Sequence, residues 1–226
     1  MVHRVSFFAR AVPCVLAFIS SFCVMVVELV AGRVIAPSVG VSLHTWTAVI
    51  GIVLLGMTIG NLIGGRLADR FHTRKLCAIL FVAAALACVA ILLLHYIVGT
   101  RDFLLLSEID SWPLRISAHV VLVFLLPATA LGLVGPVVAK MALDLGLQPG
   151  KTVGNVYAWG AIGMILGTFA TGFVLTQHLT VWQIVISMAS LLALVGIAVA
   201  ASATGRSDER RPPAGDAVKD KAAAEA

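Results

Sequence analysis

The sequence predicts an all-α integral membrane protein with six transmembrane helices and both termini in the cytoplasm. Three observations carry this. Hydrophobic residues make up 60% of the chain and charged residues 12%, with a mean hydropathy of +1.04, whereas a soluble domain carries about 25% charged residues. The charged residues divide the apolar sequence into stretches that fit six spans, each long enough to cross about 30 Å of hydrocarbon. Lysine and arginine then gather on alternate sides of those spans.

The elements follow in order. Residues 1–10 form a cytoplasmic N-terminus with Arg4 and Arg10. The first span, 11–31, is too long an apolar run for a signal peptide, and it is read as an uncleaved helix. The second covers 45–65 and the third 76–98. The fourth covers 116–139, with Gly135-Pro136 at its end. The fifth, 153–176, is closed by the polar pair Gln177-His178, and the sixth covers 181–201. From 202 to 226 Arg, Asp, Glu, Pro and Ala take over, and the tail reads as disordered.

Orientation follows from the basic residues. Arg66, Arg70, Arg74 and Lys75 separate spans two and three, Lys140 and Lys151 separate spans four and five, and Arg206, Arg210 and Arg211 follow span six. All share one side with Arg4 and Arg10, which makes that side cytoplasmic and the protein a multi-pass component of a bacterial inner membrane. The outer segment Thr100–Arg115 mixes Phe103, Ile109 and Trp112 with acids and reads as an amphipathic piece along the outer interface.

Several function classes are excluded at this level. The net charge of +5 sits in topological anchors, not on a folded basic face, so no nucleic-acid partner is expected. Cys14, Cys23, Cys77 and Cys88 lie inside apolar runs without a CxxC pair and read as small apolar residues. No nucleophile–base pair and no strand followed by a Gly-rich turn occurs, so neither catalytic residues nor a cofactor are expected.

Glycines organise the helices. Gly56, Gly60 and Gly64 form a GxxxGxxxG seam in span two, and Gly163, Gly167 and Thr171 a similar seam in span five. Small residues one turn apart let helix backbones approach closely in lipid. Gly56-Met57, Gly60 and Gly65 also match Gly163-Met164, Gly167 and Gly172 in spacing. Spans two and five would then be equivalent members of two inverted three-helix repeats, as in transporters; the plainer reading is that glycine is common in membrane helices.

Few polar groups lie within the spans. Glu28 is the only acid in span one and a functional candidate by its position. The alternatives are an interface residue or a partner of Arg33, a pairing that requires the chain to turn before Pro37. His44, His95, His119 and His178 all map to outer helix ends, where a shared metal or proton site competes with four independent interface residues. Asn155, Tyr157 and Trp159 open span five and read first as interface anchors. Asn61 follows Gly60 and can hydrogen-bond between helices.

Between spans two and three stands Gly64-Gly65-Arg66-Leu67-Ala68-Asp69-Arg70, followed by Arg74-Lys75. It resembles the inner loop of major facilitator superfamily (MFS) transporters, with Gly65, Asp69, Arg70 and Arg74 in the motif positions. Two longer stretches narrow the likeness: Glu28-Leu29-Val30-Ala31-Gly32-Arg33-Val34-Ile35-Ala36-Pro37, and Gly154-Asn155-Val156-Tyr157-Ala158-Trp159-Gly160 with the glycines that follow. Together they resemble the membrane part of bacterial fused MFS/spermidine-synthase-like proteins, over roughly Phe18 to Val185. In that family a cytoplasmic aminopropyltransferase domain often follows, and only a short charged tail follows here. The sequence also departs at Ala161 and at Gln177-His178.

Two functions follow. One is a non-catalytic membrane subunit or scaffold, acting with a separate aminopropyltransferase-like enzyme or within a larger membrane complex. The other is a half-size MFS-like transporter of a small, polyamine-like solute, working as a dimer. In the second reading Gly56, Gly60, Gly64, Gly163 and Gly167 are expected to face the second bundle.

Overall fold

The computed structural model describes residues 7–105, 111–146 and 148–207. The described chain is helical: α1 (Phe7–Val39), α2 (Leu43–Arg70), α3 (Thr73–Leu105), α4 (Trp112–Gly132), α5 (Val134–Leu143), α6 (Pro149–Ala170), a π-helical turn (Thr171–Leu175), the short α7 (Thr176–His178) and α8 (Val181–Ser207). Six stretches are long and apolar enough to cross a membrane: Ala11–Pro37, Leu43–Arg70, Thr73–Val98, Trp112–Leu143, Pro149–His178 and Val181–Ser202.

Local sequence sets the breaks. Gly40 and Gly146 end the first and fourth spans with φ of +76° and +69°, a region that glycine enters without a Cβ penalty. Ser42 then caps α2 by accepting from the Thr45 N–H at 3.2 Å. Gly135-Pro136 does not end the fourth span, contrary to the sequence reading. The helix is interrupted at Leu133, whose N–H bonds to Thr129 and Leu131, and it resumes as α5 to Leu143. Pro136 has no N–H to offer the carbonyl one turn back, at Gly132, which accounts for the break. Of the outer amphipathic segment, 101–105 continue α3, while 106–110 lie outside the described residues, as does the tail from 208.

The helices pair in a pattern that repeats. The most extensive contacts join α2 to α4, α1 to α6 and α3 to α8. Exchanging spans one, two and three with four, five and six leaves that set unchanged. The register repeats as well. A Cβ built on Gly56 meets the Leu125 carbonyl at 3.0 Å and one on Gly60 meets that of Thr129; one on Gly163 meets the Phe18 carbonyl and one on Gly167 that of Phe22. Each pair maps onto its counterpart by the same shift of 107 positions. Three spans per repeat reverse the second repeat in the membrane.

The turn after each repeat's second helix is also duplicated. Phe71 N–H bonds to Leu67 and Leu76 N–H to His72; Leu179 N–H bonds to Leu175 and Ile184 N–H to Thr180. Here the shift is 108 positions. The extra residue falls in the π-helical turn, which holds one residue more than an α-helical turn.

The core sits between the two repeats, with Phe81, Phe124, Ile35, Ile91 and Ile184 fully enclosed. The glycine seams lie inside it, which corrects one expectation. Gly56, Gly60, Gly64, Gly163 and Gly167 are buried, and their neighbours are the backbones of α4 and α1 of the same chain. Close approach within the bundle fills them, so they cannot also meet a second bundle.

Candidate functional site

The membrane-embedded candidate is a cleft around Glu28. Glu28 is half-buried on α1, about one turn beyond the middle of the Ala11–Pro37 span toward the outer face. Val24 and Val27 of α1, Val53 and Met57 of α2, and Phe124, Pro127, Ala128 and Leu131 of α4 line the cleft with it. The remaining lining is apolar, and its volume of about 10 Å³ admits a single water. A carboxyl in such surroundings is costly as an anion unless a cation, a proton or water accompanies it. Arg33 does not accompany it. The helix runs unbroken through Pro37 to Val39, five helical positions put the two side chains on different faces, and Arg33 is exposed.

At the inner face the loop motif enters a charge cluster. Lys140 on α5 lies 4.0 Å from Asp69 and 3.8 Å from Asp144. Thr73, at the start of α3, donates its hydroxyl to Asp144 at 2.9 Å. The cluster therefore ties the ends of α2 and α5 to the start of α3, across the two repeats. The side chains of its ion pairs are at least 40% exposed, so each pair contributes less than about 1 kcal/mol. Arg70 ends α2 exposed, Arg74 is half-buried in the first turn of α3, and Gly65 has open space at its Cβ position. Lys140 was legible only as a topological anchor; its role as the counter-ion of Asp69 depends on packing between repeats.

The outer histidines separate into a pair and two others. His95 on α3 and His119 on α4 face each other with ring centroids 6.1 Å apart, and His119 is fully buried. His44 and His178 are exposed, in the first turn of α2 and at the end of α7. No group of three or more metal-ligating side chains occurs among the described residues. Trp159, Tyr157 and Asn155 are all exposed, and Trp159 also packs edge-on against Phe18 of α1 with centroids 6.4 Å apart.

The second and fifth spans are the least enclosed, with 33% and 22% of their most apolar stretch buried against 39–50% elsewhere. Their outward sides mix large apolar residues, such as Leu54, Leu62, Ile165 and Phe169, with small and hydroxyl ones. The small and hydroxyl ones include Gly51, Thr58 and Gly65 on α2, Gly154, Ala158 and Ala161 on α6, and Gly172 in the π-helical turn. Nothing lies within 4 Å of a Cβ at Gly51, Gly65, Gly154 or Gly172.

No curated protein and no solved structure matches the chain. The family model of the Major Facilitator Superfamily matches residues 12–225. That match covers nearly the whole chain. The chain belongs to the major facilitator superfamily.

Proposed function

We propose that the chain is a membrane transport unit that moves a small cationic solute, with Glu28 as the charged group in its path. The family and the inverted pairing of the spans support a transporter-like protein. The single observation behind the more specific reading is the half-buried Glu28 carboxyl in the apolar cleft of α1, α2 and α4. A carboxylate there attracts a cation and repels an anion. The resemblance of 28–37 and 154–160 to spermidine-synthase-like membrane proteins supports an amine of the polyamine class, and the basic inner loops support residence in a bacterial inner membrane. The second bundle of such a transporter, a further copy of the chain in this reading, meets the open sides of α2 and α6. The test is uptake of labelled putrescine into vesicles reconstituted with the chain. Wild type accumulates it and Glu28→Gln does not. Equal uptake by the variant, or none by wild type, overturns the reading.

One observation favours a non-transporting membrane subunit instead: the cleft admits only a single water. In that reading the exposed inner loops hold a separate partner such as an aminopropyltransferase-like enzyme. Copurification of such an enzyme from native membranes supports it, and recovery of this chain alone counts against it.

A further inference from the structure

The two helix walls that flank Glu28 continue outward to a tryptophan. On α1, Val24, Glu28 and Gly32 follow one another four residues apart and form one row along the helix. On α2, Trp46, Val53 and Met57 form a second row, spaced by seven and four. Val24, Glu28, Val53 and Met57 line the cleft. Outward of it the two rows meet again at Gly32 and Trp46. A Cβ built on Gly32 would lie 3.3, 3.4 and 3.5 Å from Cη2, Cζ2 and Cζ3 of the indole. An edge-on ring would hold the two flanking carbons clearly farther away than the tip. The near-equal distances therefore lay the face of the ring over Gly32, one helical turn outward of Glu28.

Two features hold the ring there. Gly32 is buried and, without a side chain, leaves a flat shelf on α1. In the first turn of α2 the Thr45 hydroxyl donates to the Gly40 carbonyl at 3.0 Å, and the Trp46 N–H donates to the Ser42 carbonyl at 3.2 Å. The start of α2 is thus tied to the end of α1, and Trp46 with it. The residue is still 38% exposed. A tryptophan that serves only as an interface anchor sits among lipid headgroups; this one rests on the backbone of the helix that carries the carboxyl. The cleft admits a single water, about the size of an ammonium group, so the chain of an organic amine has to lie outside it. Trp46 stands on the outward side.

We infer that Trp46 is a specificity-determining residue that selects organic amines over inorganic cations, with one ammonium group of the solute at Glu28 and its chain along the indole. This rests on the transport reading of Glu28. A carboxylate alone attracts any cation. An indole attracts a cation through its π-system more strongly than the other aromatic side chains do, and more so when the cation has shed its water. The methylenes of an alkylamine also gain contact with the ring, and a hydrated potassium ion offers none. Trp46 thus supplies the discrimination that Glu28 lacks.

Putrescine uptake by the full chain in vesicles tests this, read as KM and Vmax with and without excess potassium. Trp46→Leu should raise KM about tenfold with Vmax little changed, and potassium should now compete. Trp46→Phe keeps an aromatic face and should raise KM less. An unchanged KM in Trp46→Leu, or an equal rise in both variants, overturns the inference; if Glu28→Gln is still inactive, the transport reading survives. If wild type takes up no putrescine, the transport reading falls and binding decides, as it does if Trp46→Leu fails to fold. Trp112, Trp159 and Trp182 are exposed, and changing all three to Phe leaves Trp46 as the only tryptophan of four. A saturable change in its fluorescence with putrescine, absent with potassium, supports the selection of amines. No change, or the same change with potassium, overturns it.

Discussion

On α2, Gly60 faces the backbone of α4, where a Cβ would meet the Thr129 carbonyl and lie 2.9 Å from Gly132. About two and a half turns away on the same helix, Gly51 faces open space. The contrast recurs on α6, where Gly163 is closed by Phe18 and Gly154 is open. The same residue type therefore does two different things on one helix. On the inner side glycine is required, because the opposing atoms are backbone and cannot move aside. On the outer side it leaves a smooth surface that lipid or another protein can cover. A small residue in a membrane helix shows that close approach is possible, while the opposing atom decides whether it is used.

Three groups of substitutions break or sharpen that contrast. The largest effect is expected from Gly60→Ala and Gly163→Ala. Both place a methyl against backbone, and each should cost about 2–3 kcal/mol of unfolding free energy in detergent. A cost equal to that of an outward glycine would show that the seams are not closely packed. An intermediate effect is expected from Gly56→Ala, whose nearest neighbour is the Ala128 Cβ at 2.7 Å. Ala128→Gly should recover part of the loss, and a double-mutant cycle should give a coupling of at least about 0.5 kcal/mol. The smallest effect is expected from Gly51→Ala and Gly154→Ala. Thermal unfolding should stay within the equivalent of about 0.5 kcal/mol, or stability should rise by up to about 1 kcal/mol through helix propensity.

The six spans were legible in the sequence because their signal is local: about 20 apolar residues between charges define each one. The repeat was half legible. The matched glycines gave the correct shift, but nothing local showed that Leu125 and Phe18 were their partners. The direction in which the seams face was misread for the same reason. Whether Gly56 and Gly163 point inward depends on α4 and α1, each tens of residues away in sequence. Glu28 was legible as an acid in an apolar run, but its cleft is built from three helices. Asp69 stood out by its motif. Lys140 and Asp144 did not, since their cluster forms only when the two repeats pack together. The break at Leu133 was displaced by the expectation that Gly135-Pro136 stops a helix. Instead the proline perturbs the turn before it, and packing on α2 lets the helix resume.

The π-helical turn also has a meaning in terms of descent. If the two repeats arose by duplication, the second has kept one more residue than the first, and it kept it inside a membrane helix. An alignment of the halves therefore needs a gap within Thr171–Leu175, with the shift passing from 107 to 108 across it. A mutation mapped in one half then has a defined address in the other. Comparing the effects at both addresses would show how far the two copies have diverged in what each residue does.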